Sequence, residues 1–295
     1  MKLAAGDAVA IIAPASQLTA KNRELLPRAV DLLESWGLRV RVAVDHGHRF
    51  YLAGPDTERA GHLGAVLADP DVRAVFCTRG GYGTTRLLRR LTGPVTEKVV
   101  VGCSDITALH AYLAVHHPAV VSIHGPNVAT HQLLDDTPDA EANRRSLHAA
   151  LFDRGYRLTE PVEPLRPGVA TGPLAGGCLT LLTALLGTPH MPDLSGRLVF
   201  LEDVGEVPYR IDRLLTQLID AGALDRVTGL VFGRMHECAD PYNDIRDVIA
   251  DVVGPLGAPV GFGLGSGHGP VNLSLPLGAR AELDADAGVF TVVTD

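Results

Sequence analysis

The chain has 295 residues, 46% hydrophobic and 20% charged, a composition that supports one large or two modest globular cores. A formal net charge of −8, with no cluster of lysine or arginine, argues against a surface built to hold a phosphate backbone, so no nucleic-acid partner is expected. The 32 glycines and 20 prolines suggest many tight loops, and neither a low-complexity tract nor a repeat of fixed period is visible.

The opening segment MKLAAGDAVAIIAPAS carries one lysine and a short apolar run broken by Asp7 and Pro14, the pattern of a first β-strand rather than a secretory leader. No apolar stretch approaches the roughly 20 residues a spanning helix needs, so no membrane contact and a cytoplasmic location are expected. From there to residue 126, β-rich apolar runs (AVAIIAP, RVRVAV, RAVFCT, KVVVG, AVVSIHGP) alternate with helical patterns (NRELLPRAVDLLESWG, ERAGHLGAVLADP, TTRLLRRL, ITALHAYLAV). That rhythm predicts an N-terminal α/β domain over residues 1–126, a parallel sheet of flavodoxin-like type with helices on its faces. Residues 127–168 change to a polar helical stretch, DDTPDAEANRRSLHAALF, and a proline-dotted segment, EPVEPLRPG, which read together as a linker. Residues 169–295 read as a mixed α/β domain: a helix after GGCLTLLTALLG, a strand RLVFLEDV, a helix PYRIDRLLTQLIDAG, a strand GLVFG, a helix NDIRDVIADVVG and several closing β-strands. Cys77, Cys103, Cys178 and Cys238 lie far apart with no CxxC pair, as buried thiols do in a reducing compartment.

The strongest local signal for chemistry is VVVGCSDIT, residues 99 to 107, where a β-branched run stops at Gly102 and a helical pattern follows Ser104. A strand–turn–helix of this kind lifts a serine as a nucleophile and brings the next N–H, that of Asp105, to a helix N-terminus where it can stabilise an oxyanion. The same letters also suit a plain helix cap by Ser104 or Asp105, and G-x-S-D lacks the last glycine of G-x-S-x-G. A serine needs a base, and His268 stands out because glycines at 261, 263, 265, 267 and 269 clear side chains from around it. A mobile surface loop is the competing reading, and His124 in SIHGP fits a strand-end residue that orients a loop. Glu202 ends the apolar run RLVFLE, where a lone buried carboxylate would be costly, so a hydrogen bond to an imidazole would supply its partner. Asp203 and Glu206 are its rivals, and a carboxylate here would also serve to cap the helix after Pro208.

The turn RGGYG, residues 79 to 83, follows a strand, so its backbone N–H groups suit an anion or a second oxyanion contact. Neither the phosphate-loop pattern nor G-x-G-x-x-G is present, His236-Glu237 has no second histidine, and no Cys/His spacing fits zinc. No metal and no other cofactor are expected.

Taken in order, RGGYG, GCSDIT, HGP, GGCLTLL, FLEDVGEVPYRIDR and GHGPVNLSLPLG resemble the LD-carboxypeptidase family over nearly the whole chain. The resemblance implies a serine peptidase whose N-terminal domain carries the nucleophile and whose C-terminal domain carries the acid and base: Ser104, Glu202 and His268. It implies attack by Ser104 on a peptide carbonyl with His268 as base and Glu202 orienting it, an oxyanion held by the N–H groups of Asp105 and of Gly80 or, preferentially, Gly81, and an acyl-enzyme cleared by water. The implied substrate is a murein tetrapeptide that loses its terminal D-alanine from the diamino acid, L-lysine or meso-diaminopimelate, during cell-wall recycling, and the implied assembly is a homodimer. Arg79 and Arg210, each within a matched motif, are candidates for the substrate carboxylate, with Gly80 beside them. A microcin C immunity-type hydrolase of peptidyl-nucleotides shares the same triad and would need an aromatic platform for its base. A non-catalytic carboxylate-binding module and an α/β-hydrolase esterase are more distant readings.

Overall fold

The computed structural model describes residues 1–44, 47 and 49–294. The first half builds strands β1 (Ala8–Ile12), β2 (Arg39–Ala43), β3 (Val72–Cys77), β4 (Val99–Gly102) and β5 (Val121–His124), with helices α1 (Ala20–Ser35), α2 (Asp56–Ala68) and α3 (Thr107–His116) between them. Helices α4 (His131–Leu134) and α5 (Pro138–Phe152) follow, then β6 (Arg157–Pro161), β7 (Glu163–Arg166), β8 (Val169–Cys178), α6 (Leu179–Ala184), β9 (Leu198–Glu202), α7 (Pro208–Asp220), β10 (Gly229–Gly233) and α8 (Ile245–Val253). The chain closes through β11 (Val260–Leu264), β12 (Leu275–Pro276), β13 (Arg280–Asp284) and β14 (Val289–Val293).

The first sheet has the order β12-β5-β4-β3-β1-β2, in which β1 to β5 are parallel and β12 is antiparallel. Strands β1 and β4 are buried along their whole length, the continuous apolar run that a parallel sheet covered on both faces requires, whereas edge strand β2 shows the alternation of RVRVA. The β2-β1-β3-β4-β5 order reverses direction between β1 and β3, so the crevice beyond their carboxyl ends is where such a fold collects a site. The second sheet runs β6-β14-β13-β8-β9-β10-β11-β7, with β8 to β11 parallel and an antiparallel wing or margin on each side. This is the mixed α/β architecture expected, and its closing strands are β11 to β14.

Two local outcomes differ from the sequence pattern. TTRLLRRL makes only a short 3-10 turn, Leu88–Arg90, because Leu87, Leu88 and Leu91 are all drawn into the core before Gly93 and Pro94 end the segment. Residues 127–168 hold α4, α5, β6 and β7, and β6 and β7 lie at opposite margins of the second sheet. Strand β12 belongs by sequence to the second half and pairs with β5 through Leu275 and His124, so the halves share a sheet as well as a surface.

One buried cation ties the first layer together. Lys98 is fully buried, and its ammonium donates to the carbonyls of Val66 (2.9 Å), Asp69 (2.9 Å) and Val72 (3.1 Å), which anchors the end of α2 to the start of β4. Lys98→Met keeps the stem and takes the ammonium donor away from three carbonyls, of which that of Asp69 keeps the Val72 N–H and the Thr96 hydroxyl, and chemical denaturation is expected to show a loss of about 2 kcal/mol. A loss below about 0.5 kcal/mol would mean that these bonds contribute little net stability.

Candidate active site

Ser104 stands at the end of β4 with φ of +64°, a left-handed conformation that a non-glycine residue adopts only under constraint. The helix-cap reading does not describe it. Neither the 3-10 turn Ser104–Ile106 nor α3 has a side-chain cap, and the Asp105 carboxylate accepts from the N–H of Thr84 at 2.7 Å instead. That bond runs from the turn below the serine to the residue just after RGGYG, and Arg59, buried, adds a bond to the Gly83 carbonyl at 3.1 Å. Burial lifts the Asp105 carboxyl above its ordinary range, against the bond from Thr84 and the charge of Arg59. The Ser104 side chain itself is left half-buried and open.

The glycine turn closes directly onto the serine. A Cβ at Gly80 would come within 2.6 Å of the Ser104 Cβ, 2.8 Å of its Oγ and 3.3 Å of the Asp105 nitrogen, so only glycine permits the approach. Gly81 sits instead against Ser16, whose Oγ accepts from the Tyr82 N–H at 2.9 Å. The N–H groups of Gly80, Gly81 and Asp105 have no hydrogen-bond partner among the described residues. Such free donors beside a serine are what an oxyanion site is made of.

The acid and the imidazole come from the second half. Glu202, 1% exposed at the end of β9, accepts from His268 Nδ1 at 2.6 Å and from the His268 backbone N–H at 3.2 Å through the same oxygen. Its rivals are engaged elsewhere: Asp203 accepts from the N–H and hydroxyl of Thr180 at 2.9 and 2.8 Å, and Glu206 pairs with Arg210 at 3.3 Å. Burial disfavours the charged imidazole, but the bond and charge of Glu202, helped by Asp203, outweigh it and raise the His268 pKa above its ordinary value. With Nδ1 taken, Nε2 is the nitrogen left for proton transfer.

The glycine-rich segment around His268 is an ordered structure held by amides that the sequence reading did not single out. Asn272 Oδ1 accepts from the Gly267 N–H at 2.9 Å, Asn143 Oδ1 accepts from the Asn272 N–H at 2.7 Å, and Asn143 Nδ2 donates to the Pro270 carbonyl at 2.8 Å. Gln132 adds a bond to the Gly267 carbonyl at 3.0 Å, and Ser146 accepts from the Ser274 N–H at 2.9 Å. Asn143 and Asn272 are fully buried. Gln132 on α4 and Asn143 and Ser146 on α5 all lie between the two α/β patterns, where nothing in the sequence but their polar character marked them.

Of the remaining candidates, Arg79 is half-buried beside the turn and donates to the Gln17 carbonyl at 3.1 Å, while Arg210 is exposed on the first turn of α7. His124 is fully buried with its ring edge-on to Phe200 at 5.1 Å, and burial together with nearby His268 pushes its pKa down to about 3. All four cysteines are free and buried. Among the described residues no group of three or more His, Cys, Asp or Glu side chains is arranged to hold a metal ion.

Comparison with known proteins bears directly on this geometry. The family model for the LD-carboxypeptidase N-terminal domain matches residues 9–125, and that for the LD-carboxypeptidase C-terminal domain matches residues 171–283. A putative carboxypeptidase of Streptomyces coelicolor is 43% identical, over 99% of this chain and 94% of its own. A muramoyltetrapeptide carboxypeptidase from Oxalobacter formigenes, known from its crystal structure, is 30% identical with a TM-score of 0.84, covering 98% of this chain and 99% of that one. The microcin C7 self-immunity protein MccF, at 23% identity and a TM-score of 0.86 over 100% and 98% of the two chains, shares the fold. Two matched domain models that together span most of the sequence, and a relative 43% identical along its length, lead to one conclusion: the chain belongs to the LD-carboxypeptidase family.

Proposed function

We propose that the protein is a serine LD-carboxypeptidase that removes the terminal D-alanine of a murein tetrapeptide by way of an acyl-enzyme, with Ser104, Glu202 and His268 as its triad. The observation that carries this reading is the 2.6 Å contact of Glu202 with His268 Nδ1, joined to a serine in a left-handed turn against the Gly80 backbone. In the reaction Ser104 Oγ attacks the carbonyl carbon of the diamino acid as His268 Nε2 takes the hydroxyl proton. The oxyanion is met by the Asp105 N–H and by an N–H of the Gly80-Gly81 turn. Collapse breaks the C–N bond, the proton on His268 passes to the departing amine of D-alanine, and water then attacks the acyl-serine with His268 again as base. Glu202 holds the ring in the required tautomer and favours its charged form.

Half-buried Arg79, on the same turn, is the preferred partner for the substrate carboxylate, ahead of Arg210, which Glu206 already holds. A cytoplasmic location and a homodimer belong to the same proposal. No helix among the described residues is long and apolar enough to cross a membrane. Hydrolysis of peptidyl-nucleotides is the second reading, favoured by the fold shared with MccF.

Incubation of the wild type and of Ser104→Ala with a murein tetrapeptide, both treated with EDTA and followed by mass spectrometry, should give D-alanine only with the wild type. Release by neither would move the peptidyl-nucleotide reading to first place. The base must be neutral and its pKa is raised, so the acid limb of kcat/KM is expected to have its midpoint above 6.5, the ordinary histidine value. Glu202→Gln should move that limb to lower pH and cut kcat by on the order of 10³-fold or more. The same charged pair stabilises the fold most fully below the unfolded histidine pKa, and its contribution is lost as pH rises through the higher folded value. Gly267 has φ of +113°, and a Cβ there would lie 2.5 Å from Glu202 Oε2, so Gly267→Ala should displace His268 and lower kcat/KM by about 100-fold. An active Gly267→Ala enzyme would show that the imidazole tolerates a different approach to Glu202.

A further inference from the structure

One exposed surface is composed of side chains that a protein in water ordinarily shields. Phe50, Tyr51 and Tyr82 are 75%, 54% and 47% exposed, yet they are in mutual contact, with ring centroids 6.5 Å apart for Phe50 and Tyr51 and 5.4 Å apart for Tyr51 and Tyr82. Their backbone is anchored to a single point beside the nucleophile. Ser16 forms a bridge with buried Leu52, the Gln17 N–H donates to the Tyr51 carbonyl at 3.2 Å, and Ser16 Oγ accepts from the Tyr82 N–H. Gly81 packs on that same Ser16 and Gly80 packs on Ser104, so the aromatic group is fastened to the turn that faces the reacting carbonyl.

Shape and chemistry narrow what this surface takes. The Tyr51 and Tyr82 rings meet at 74°, which makes a corner of one π-face and one phenol edge rather than a parallel slot that would grip a flat base from both sides. The Arg86 guanidinium, held by Asp56 at 2.7 Å, lies within electrostatic reach of both phenols and supplies further donors at the rim. An exposed aromatic corner that carries two phenols, with a guanidinium near them, matches a puckered, hydroxylated ring: a C–H face can lie on an aromatic ring while the hydroxyls meet the polar groups.

We propose that Tyr51 and Tyr82 form a subsite for a pyranose carried on the peptide substrate, the muramoyl sugar at its N-terminal end. The proposal rests on the carboxypeptidase reading and makes this corner a determinant of preference for sugar-linked peptide over free peptide.

The test measures kcat/KM for muramoyl-tetrapeptide, sugar-free tetrapeptide and a peptidyl-nucleotide with wild type, Tyr51→Ala/Tyr82→Ala and Tyr51→Phe/Tyr82→Phe. Wild type should prefer the muramoyl substrate by about tenfold, the scale of one aromatic contact, and the double alanine variant should bring the ratio close to one. The phenylalanine pair, which keeps both rings, should retain most of the preference. A wild-type ratio of one, or a preference that survives both alanines, would overturn the subsite and leave the carboxypeptidase reading standing. Cleavage of neither peptide by wild type would remove that reading and the sugar assignment together. A preference for the nucleotide substrate that the alanines abolish would give the corner to a base and overturn the sugar.

Discussion

A carboxylate with almost no access to water has to be compensated by the protein, and in this molecule that requirement falls on Glu202. Its partners are the imidazole and the backbone N–H of one residue, His268, which both reach the same oxygen. Two donors from a single residue form a short-range clamp. The backbone at 267 and 268 must come almost into contact with the strand end, which excludes a side chain at 267 and obliges the following segment to turn back at once. The buried asparagines answer that second demand, because a backbone folded so tightly cannot satisfy its own N–H and C=O groups.

The Ser104 side follows the same physical rule. Asp105, also buried, takes the Thr84 N–H and so draws the glycine turn over Ser104, and Asp203 draws the start of α6 onto the end of β9. Three acids at two strand ends thus each capture a different loop. Of the three, only Glu202 bonds a group able to exchange protons near neutrality, the His268 imidazole, while the other two hold backbone and hydroxyl donors.

Much of this is legible in the sequence because its causes are local. The alternation of β-branched runs with helical patterns marks the first sheet, and the abrupt stop at Gly102 before Ser104 marks the elbow. Glu202 is visible as the one charge terminating RLVFLE. The short 3-10 turn in place of a helix at TTRLLRRL is not visible, since three leucines at helical spacing read alike whether tertiary packing continues the helix or cuts it short. The asparagine and glutamine brace is hidden for a different reason: Gln132, Asn143 and Asn272 gain their meaning only when segments 129 and 140 residues apart meet. The choice between Gly80 and Gly81 depends on backbone direction, and the turn presses Gly80 on Ser104 and Gly81 on Ser16.

Strand β12 and the bonds around it carry a consequence in time. Contacts that complete the site span 135 residues from Gln132 to Gly267 and 169 from Cys103 to Asn272, among the slowest kinds of closure for a folding chain. During synthesis the first sheet lacks its β12 edge, and Glu202 its imidazole partner, until residues 268–276 have emerged. A ribosome-bound chain therefore presents Ser104 before the Glu202–His268 pair can form, and that pair and the β12 edge of the first sheet arrive close together.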